Sequence, residues 1–241
     1  VYDLTAGLAR DSLVILSFLL DIVGSQHHGM ELKMHLVERD PIVASLLSDA
    51  MRRLNSPANV IDNEGGNTMR QITQCLSMEE GDGVSVLNRL MSGKSVQSTD
   101  IKASSPLSAP YPPDICYLDP MFPPRKNKAS AVKKDMAMLH SLLGTSGASR
   151  DNMEQRKDGD LLSDLSTDAE RTQEEQQLLR AAYKVATRRV VVKRPIGAQP
   201  LGLSSAVDEG DDEGPINYLD IPRPSYDVRG SVNRFDVYII S

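Results

Sequence analysis

The side chains best placed for chemistry lie together in Leu118-Asp119-Pro120-Met121-Phe122-Pro123. A carboxylate, a proline-stiffened turn and an aromatic ring within a few positions suit methyl transfer to an amino nitrogen conjugated with a heterocycle. Such a nitrogen is a poor nucleophile because its lone pair is delocalised into the ring. The Asp119 carboxylate and the Pro120 carbonyl can accept its two N–H bonds and turn the lone pair toward a methyl donor. Phe122 can stack on the base and fix its plane. With a sulfonium as donor, no metal and no covalent intermediate is required. Asp119, Pro120 and Phe122 are therefore the candidate catalytic residues. The plainer alternative is a proline-rich loop around a buried Phe.

Two other segments carry candidate cofactor contacts. The first is Asp3-Leu4-Thr5-Ala6-Gly7-Leu8-Ala9-Arg10-Asp11. Its glycine lets backbone approach a ligand, and the helix start behind it offers free N–H groups. With one glycine it is not the GxGxxG turn that a pyrophosphate needs, which excludes a dinucleotide-dependent dehydrogenase. The second is Glu38, about 30 residues past that turn, where an acid can take both ribose hydroxyls of an adenosine. The alternative is an exposed acid at a strand end. Arg125, Lys126, Lys128, Lys133 and Lys134 follow the Asp119 segment, and Arg188, Arg189, Lys193 and Arg194 flank the next strand. These bases would set positive charge around one mouth, as phosphate contacts require. A solvated helix face is the alternative for Lys133 and Lys134.

Positioning these residues takes alternating strands and helices. Strands are predicted at Val1–Leu4, Glu31–Val37, Gln71–Ser77, Asp114–Leu118 and Arg189–Val192, with a terminal pair at Tyr226–Arg229 and Arg234–Ile240. Leu13, Leu16, Leu20 and Val23 share one face of a first helix, which reads as buried. Asp40 caps a second that begins at Pro41, and its apolar residues Val43, Leu46, Leu47, Ala50 and Leu54 recur at helical spacing. Further helices are expected over Val84–Met91, Ala129–Leu143 and Asp168–Ala186. Alternation of this kind gives a mostly parallel α/β sheet covered on both faces. The expectation is one domain over residues 1–241, with insertions near 92–113, 145–167 and 197–216, the middle one disordered.

The net charge of −6 argues against a nucleic-acid partner until its distribution is considered. Residues 151–175 hold nine acids and three bases, and residues 208–213 add five acids and no base. What remains carries +5. Cys75 and Cys116 sit in apolar surroundings and form no CxxC pair, so they read as buried thiols rather than metal ligands. No apolar run is long enough to span a bilayer. The chain begins at Val1 within a strand-like segment, which points to a fragment of a longer protein, with any targeting signal outside it.

The sequence resembles the RsmJ family, the bacterial small-subunit ribosomal RNA guanine-N2 methyltransferases. The resemblance rests on residues 3–11, on Leu36-Val37-Glu38-Arg39-Asp40-Pro41-Ile42-Val43-Ala44 and on Tyr117-Leu118-Asp119-Pro120-Met121-Phe122-Pro123. It continues through Ser130–Met136, Arg189–Pro195 and Arg234–Tyr238, so it spans the chain. It implies a Rossmann-like class I methyltransferase fold, a mostly parallel seven-stranded sheet with an antiparallel last strand. It also implies S-adenosylmethionine (SAM) as cofactor, and ribosomal RNA or the small ribosomal subunit as partner, with neither membrane nor metal. By position, Asp3, Thr5, Ala6, Gly7, Arg10 and Asp11 would line the methionine side of the cofactor, and Glu38 and Arg39 the ribose side. Asp82 would lie near the adenine, and Asp119 would contact cofactor or substrate.

The chain departs from the family in lacking a region before the first strand, in a longer Asn55–Pro113 segment and in its two acidic insertions. A divergent or eukaryotic homologue is expected, cytoplasmic or organellar. Two alternatives stand beside guanine-N2 methylation. One is an amino-methyltransferase of another base in RNA or DNA, and the other a non-catalytic RNA-binding homologue.

Overall fold

The computed structural model describes residues 1–26, 31–54, 71–92, 112–120, 160–201 and 222–241. Two compact units divide the chain: Val1–Pro120 with Gln176–Ser241, and Met121–Glu175. Of the second, the described residues 160–175 are helical.

The described elements run β1 (Tyr2–Asp3), α1 (Arg10–Gln26), β2 (Met34–Glu38), α2 (Pro41–Leu54), β3 (Leu76–Glu80), α3 (Gly83–Met91), β4 (Ile115–Leu118), α4 (Asp160–Val185), β5 (Arg189–Pro195), β6 (Tyr226–Arg229) and β7 (Asn233–Ile239). The strands form one seven-stranded sheet in the order β3-β2-β1-β4-β5-β7-β6. The first five pair in parallel, and β7 runs antiparallel to both its neighbours. This is the Rossmann-like sheet that the family resemblance implies. Strand order reverses between β1 and β4, the switch point beyond whose carboxyl ends open α/β sheets bind ligands.

Alternation along β2 explains the two cores. Met34 and Leu36 point into a cluster with Ala6, Leu16 and Leu47, while Val37 joins Leu4, Leu118, Leu179 and Val192 in another. Helix α3 reaches close to β1 because Gly83 lacks a side chain: a Cβ there would lie 2.8 Å from Leu178 Cδ1 and 3.2 Å from the Leu4 carbonyl oxygen. Asp40 caps α2 as predicted, its Oδ1 accepting from the amides of Ile42 at 2.9 Å and Val43 at 3.1 Å.

Several predicted elements differ from the observed ones. Residues 71–75 are helical and β3 starts only at Leu76. Its Leu-Ser-Met-Glu-Glu sequence alternates: Leu76 and Met78 pack against the cluster around Met34 and Leu36, while Glu79 takes Arg89 at 2.5 Å and Ser77 Oγ bonds His35 Nδ1 at 2.8 Å. Helix α1 is buried on one face only, since Val14 and Phe18 stand exposed opposite Leu16. Helix α4 begins at Asp160, eight residues before the predicted start and inside the segment expected to be disordered. Cys75 is half-buried, whereas burial in the core pushes the Cys116 thiol up to about 12. The predicted helix Ala129–Leu143 lies outside the described residues. No described helix is long and apolar enough to cross a membrane.

Candidate active site at the carboxyl ends of the strands

The turn leaving β1 is tied to both adjoining strands. The Leu4 amide donates to the Tyr117 carbonyl and the Ala6 amide to the Val37 carbonyl, each at 3.0 Å. Gly7 and Ala9 adopt left-handed φ values of 52° and 54°. Glycine does so freely, while for Ala9 it is strain, held in place by burial and by its amide's 2.7 Å bond to the Ala6 carbonyl. A Cβ on Gly7 would meet no protein atom within 4 Å, so this turn opens on free space.

Glu38 ends β2 facing that turn. Its Oε2 accepts from the Gly7 amide at 2.7 Å and its Oε1 from the Asp40 amide at 2.8 Å. Each oxygen retains a second lone pair, so the nearly buried carboxylate still offers an acceptor on each oxygen for a pair of hydroxyls.

Beyond β1 and β4 lies a cluster of acids around one lysine. Asp3 is buried; its Oδ1 accepts from the Thr5 amide at 3.0 Å and its Oδ2 from the Ser12 hydroxyl. Burial raises the Asp3 carboxyl to about 6, against the opposing effect of those two bonds. The Asp119 amide donates to Thr5 Oγ1 at 2.7 Å, tying the end of β4 to the β1 turn. Lys193 Nζ donates to Asp119 Oδ2 at 2.7 Å and to Asp11 Oδ2 at 2.6 Å, and the Tyr117 hydroxyl donates to Asp11 Oδ2 at 2.8 Å. Burial raises the Asp119 carboxyl, with Lys193 working against it. At Asp11 burial is outweighed by the bonds from Lys193 and Tyr117, and its carboxyl sits below the usual range. Burial likewise disfavours the Lys193 cation, yet its two carboxylates raise its pKa on balance.

The structure thus gathers Asp3, Thr5, Asp11 and Asp119 into one network, with Ala6, Gly7 and Glu38 in the adjoining turn. Pro120 is buried, whereas Arg10 and Arg39 are exposed at the first residue of α1 and just beyond β2. Asp82 caps α3, accepting from the Ser85 amide at 2.9 Å. Lys193 and Arg194, expected to meet phosphate, are instead turned inward because β5 continues to Pro195: Lys193 joins the acids, and buried Arg194 donates to the Gln199 carbonyl at 3.0 Å. Phe122, Arg125, Lys126, Lys128, Lys133 and Lys134 lie outside the described residues. The sequence reading missed Ser12 and Tyr117. A lone hydroxyl-bearing ring in the otherwise apolar Ile115–Leu118 strand was the available signal for Tyr117. Ser12, directly after an acid in a first helical turn, reads as a cap. Among the described residues no group of three or more His, Cys, Asp or Glu side chains is arranged to hold a metal.

A family model described as "Putative SAM-dependent methyltransferase" matches residues 1–159. The chain belongs to the SAM-dependent methyltransferase family. It is 32% identical over 241 residues to a protein named ribosomal RNA small subunit methyltransferase J from Tolumonas auensis, covering 100% of this chain and 63% of that protein. The protein of the same name from Aeromonas salmonicida is 31% identical with the same coverage. The chain therefore spans 63% of the length of these curated relatives. A solved SAM-dependent methyltransferase from Neisseria gonorrhoeae is 25% identical, covers 99% of this chain and 64% of that one, and superposes with a TM-score of 0.48, too loosely to bear on the site.

Proposed function

We propose that the chain is the catalytic part of a methyltransferase that uses SAM to methylate the exocyclic N2 amine of a guanosine in small-subunit ribosomal RNA. The observation that carries this reading is the Asp119 carboxylate beyond β4 at the topological switch point, fixed through its backbone by Thr5 and through Oδ2 by Lys193.

The donor set fits SAM. Glu38 offers its remaining lone pairs to the ribose hydroxyls, and the left-handed Gly7 turn leaves open space beside it. Asp3 and Asp11 give the methionine side acidic partners for an ammonium group. When bound, SAM supplies an electrophilic methyl carbon on a sulfonium that departs as a neutral thioether. The chain's own part is to aim the nucleophile. Asp119 accepts one N–H of the base amine and the Pro120 carbonyl the other, which points the nitrogen lone pair at the methyl carbon. As the C–N bond forms and the C–S bond breaks with its electron pair going to sulfur, the nitrogen gains positive charge. The Asp119 carboxylate stabilises that charge and takes the proton the nitrogen sheds. Phe122 is proposed to stack on the base, and Arg125, Lys126, Lys128, Lys133 and Lys134 to meet phosphates. The names of the curated relatives support ribosomal RNA as substrate.

Nucleoside mass spectrometry tests this after incubation of the protein and SAM with small-subunit RNA, both naked and as a particle. N2-methylguanosine is expected. N6-methyladenosine or N4-methylcytidine would move the activity to another base. No methylated nucleoside from protein that binds S-adenosylhomocysteine would favour a non-catalytic RNA-binding role.

A further inference from the structure

We infer that Lys193 is a positioning residue for the methyl-transfer step: it grips Asp119 by Oδ2, keeps that carboxylate ionised and leaves Oδ1 to the substrate amine. The inference rests on the proposed role of Asp119. Its geometric basis is the parallel register of β4 and β5. Leu118 pairs with Val192, so the next residues along, Asp119 and Lys193, stand opposite each other where β4 has ended and β5 continues. The contact between them measures 2.7 Å. Lys193 is anchored from the far side by Asp11 at 2.6 Å, and Asp11 by the Tyr117 hydroxyl. Thr5 fixes the backbone of Asp119, and among the described residues nothing bonds its Oδ1. Oδ2 is thus committed to Lys193.

The chemistry requires the anion. A protonated Asp119 would offer its O–H to the nitrogen lone pair, tying up the electrons that must attack the methyl carbon. The surroundings push toward that failure: the site is partly buried, and Asp3 from β1 and Asp11 from α1 add negative charge beside Asp119. Tyr117 from β4 faces the same cluster through Asp11, as Arg10 does from α1. The Lys193 ammonium is the direct counterweight on Asp119. An opposite charge in contact lowers a carboxylate pKa by roughly 1–3 units, so removing it should raise Asp119 by at least about one pH unit. A purely structural strap between β5 and α1 would need only the Asp11 contact.

The test follows the Asp119 carboxyl by carbon-13 NMR, assigned through Asp119→Asn, in wild type, Lys193→Met and Lys193→Arg. The pH dependence of methyl transfer to small-subunit RNA is measured alongside. In Lys193→Met, Asp119 should titrate about one pH unit or more higher, and the acid limb of kcat should shift by the same amount, about a tenfold loss at its foot. Lys193→Arg should restore both. If the Met variant does not fold, Lys193→Gln takes its place. An unmoved Asp119 titration, or a shifted titration with an unmoved acid limb, would overturn the inference. If the wild type transfers no methyl group, the methyltransferase reading falls, and the carboxyl titration alone decides whether Lys193 controls Asp119.

Discussion

Glu38 already bonds the amides of Gly7 and Asp40, so it both shapes the β1 turn and presents the lone pairs proposed for the ribose. Bonds to a charged group contribute about 1.5–3 kcal/mol, so Glu38→Ala should weaken S-adenosylhomocysteine binding roughly tenfold to a hundredfold in calorimetric titration. Unchanged affinity would remove Glu38 from the cofactor site. Asp3 illustrates the cost of such a site. Its folded carboxyl titrates at about 6 against the ordinary 3.8, so the folded state holds the proton more tightly than the unfolded chain. The stability this contributes is complete below pH 3.8 and is lost as pH rises through about 6. At 1.36 kcal/mol per pH unit the ceiling is about 3 kcal/mol. Asp3→Asn should therefore stabilise the protein at pH 7.5 by about 1–2 kcal/mol, once imperfect bonding to Ser12 is allowed for, and weaken cofactor binding. Thermal unfolding against pH should show the advantage shrinking toward pH 4. A loss of stability at pH 7.5 would contradict the burial argument. The acids and Thr5 were legible in the sequence, but Ser12, Tyr117 and the pairing of Lys193 with the acids were not, because that lysine and Asp11 lie 182 positions apart.

Among the described elements, the strands and helices were placed in the right order, while the starts of β3 and α4 were not read correctly. The β3 sequence alternates only over Leu76–Glu79, too short a run to fix where the strand starts, and the partners of Glu79, Arg89 and His35, are brought to it only by the fold. The terminal pair was predicted, but its inner partnership was hidden. Arg234 Nε and Nη2 hold both oxygens of Asp236, at 2.6 and 3.1 Å, with Asp236 1% exposed. Removing one partner strands a buried charge, so Arg234→Met should cost about 3–5 kcal/mol in denaturant unfolding. Adding Asp236→Leu should recover much of that loss. A single variant as stable as wild type would show that the pair contributes nothing.

For the whole molecule, strand and helix alternation was enough to predict a mostly parallel α/β sheet, while the Rossmann-like arrangement with an antiparallel last strand was what the family resemblance implied. Strands β2 and β3 lie on one side of β1, and β4 and β5 on the other, so the strand order reverses between β1 and β4, beside Asp3 and Asp119. Confining the surplus acid to residues 151–175 and 208–213 leaves the remainder at +5, the sign that an RNA backbone requires. The most direct test of the account is transfer of a deuterated methyl group from SAM to small-subunit ribosomal RNA, by wild type and by Asp119→Ala, each first shown by calorimetry to bind S-adenosylhomocysteine. The account predicts label on guanine N2 with wild type. It predicts at least a roughly hundredfold slower transfer in the variant, with cofactor affinity retained. Transfer by Asp119→Ala at the wild-type rate would contradict it.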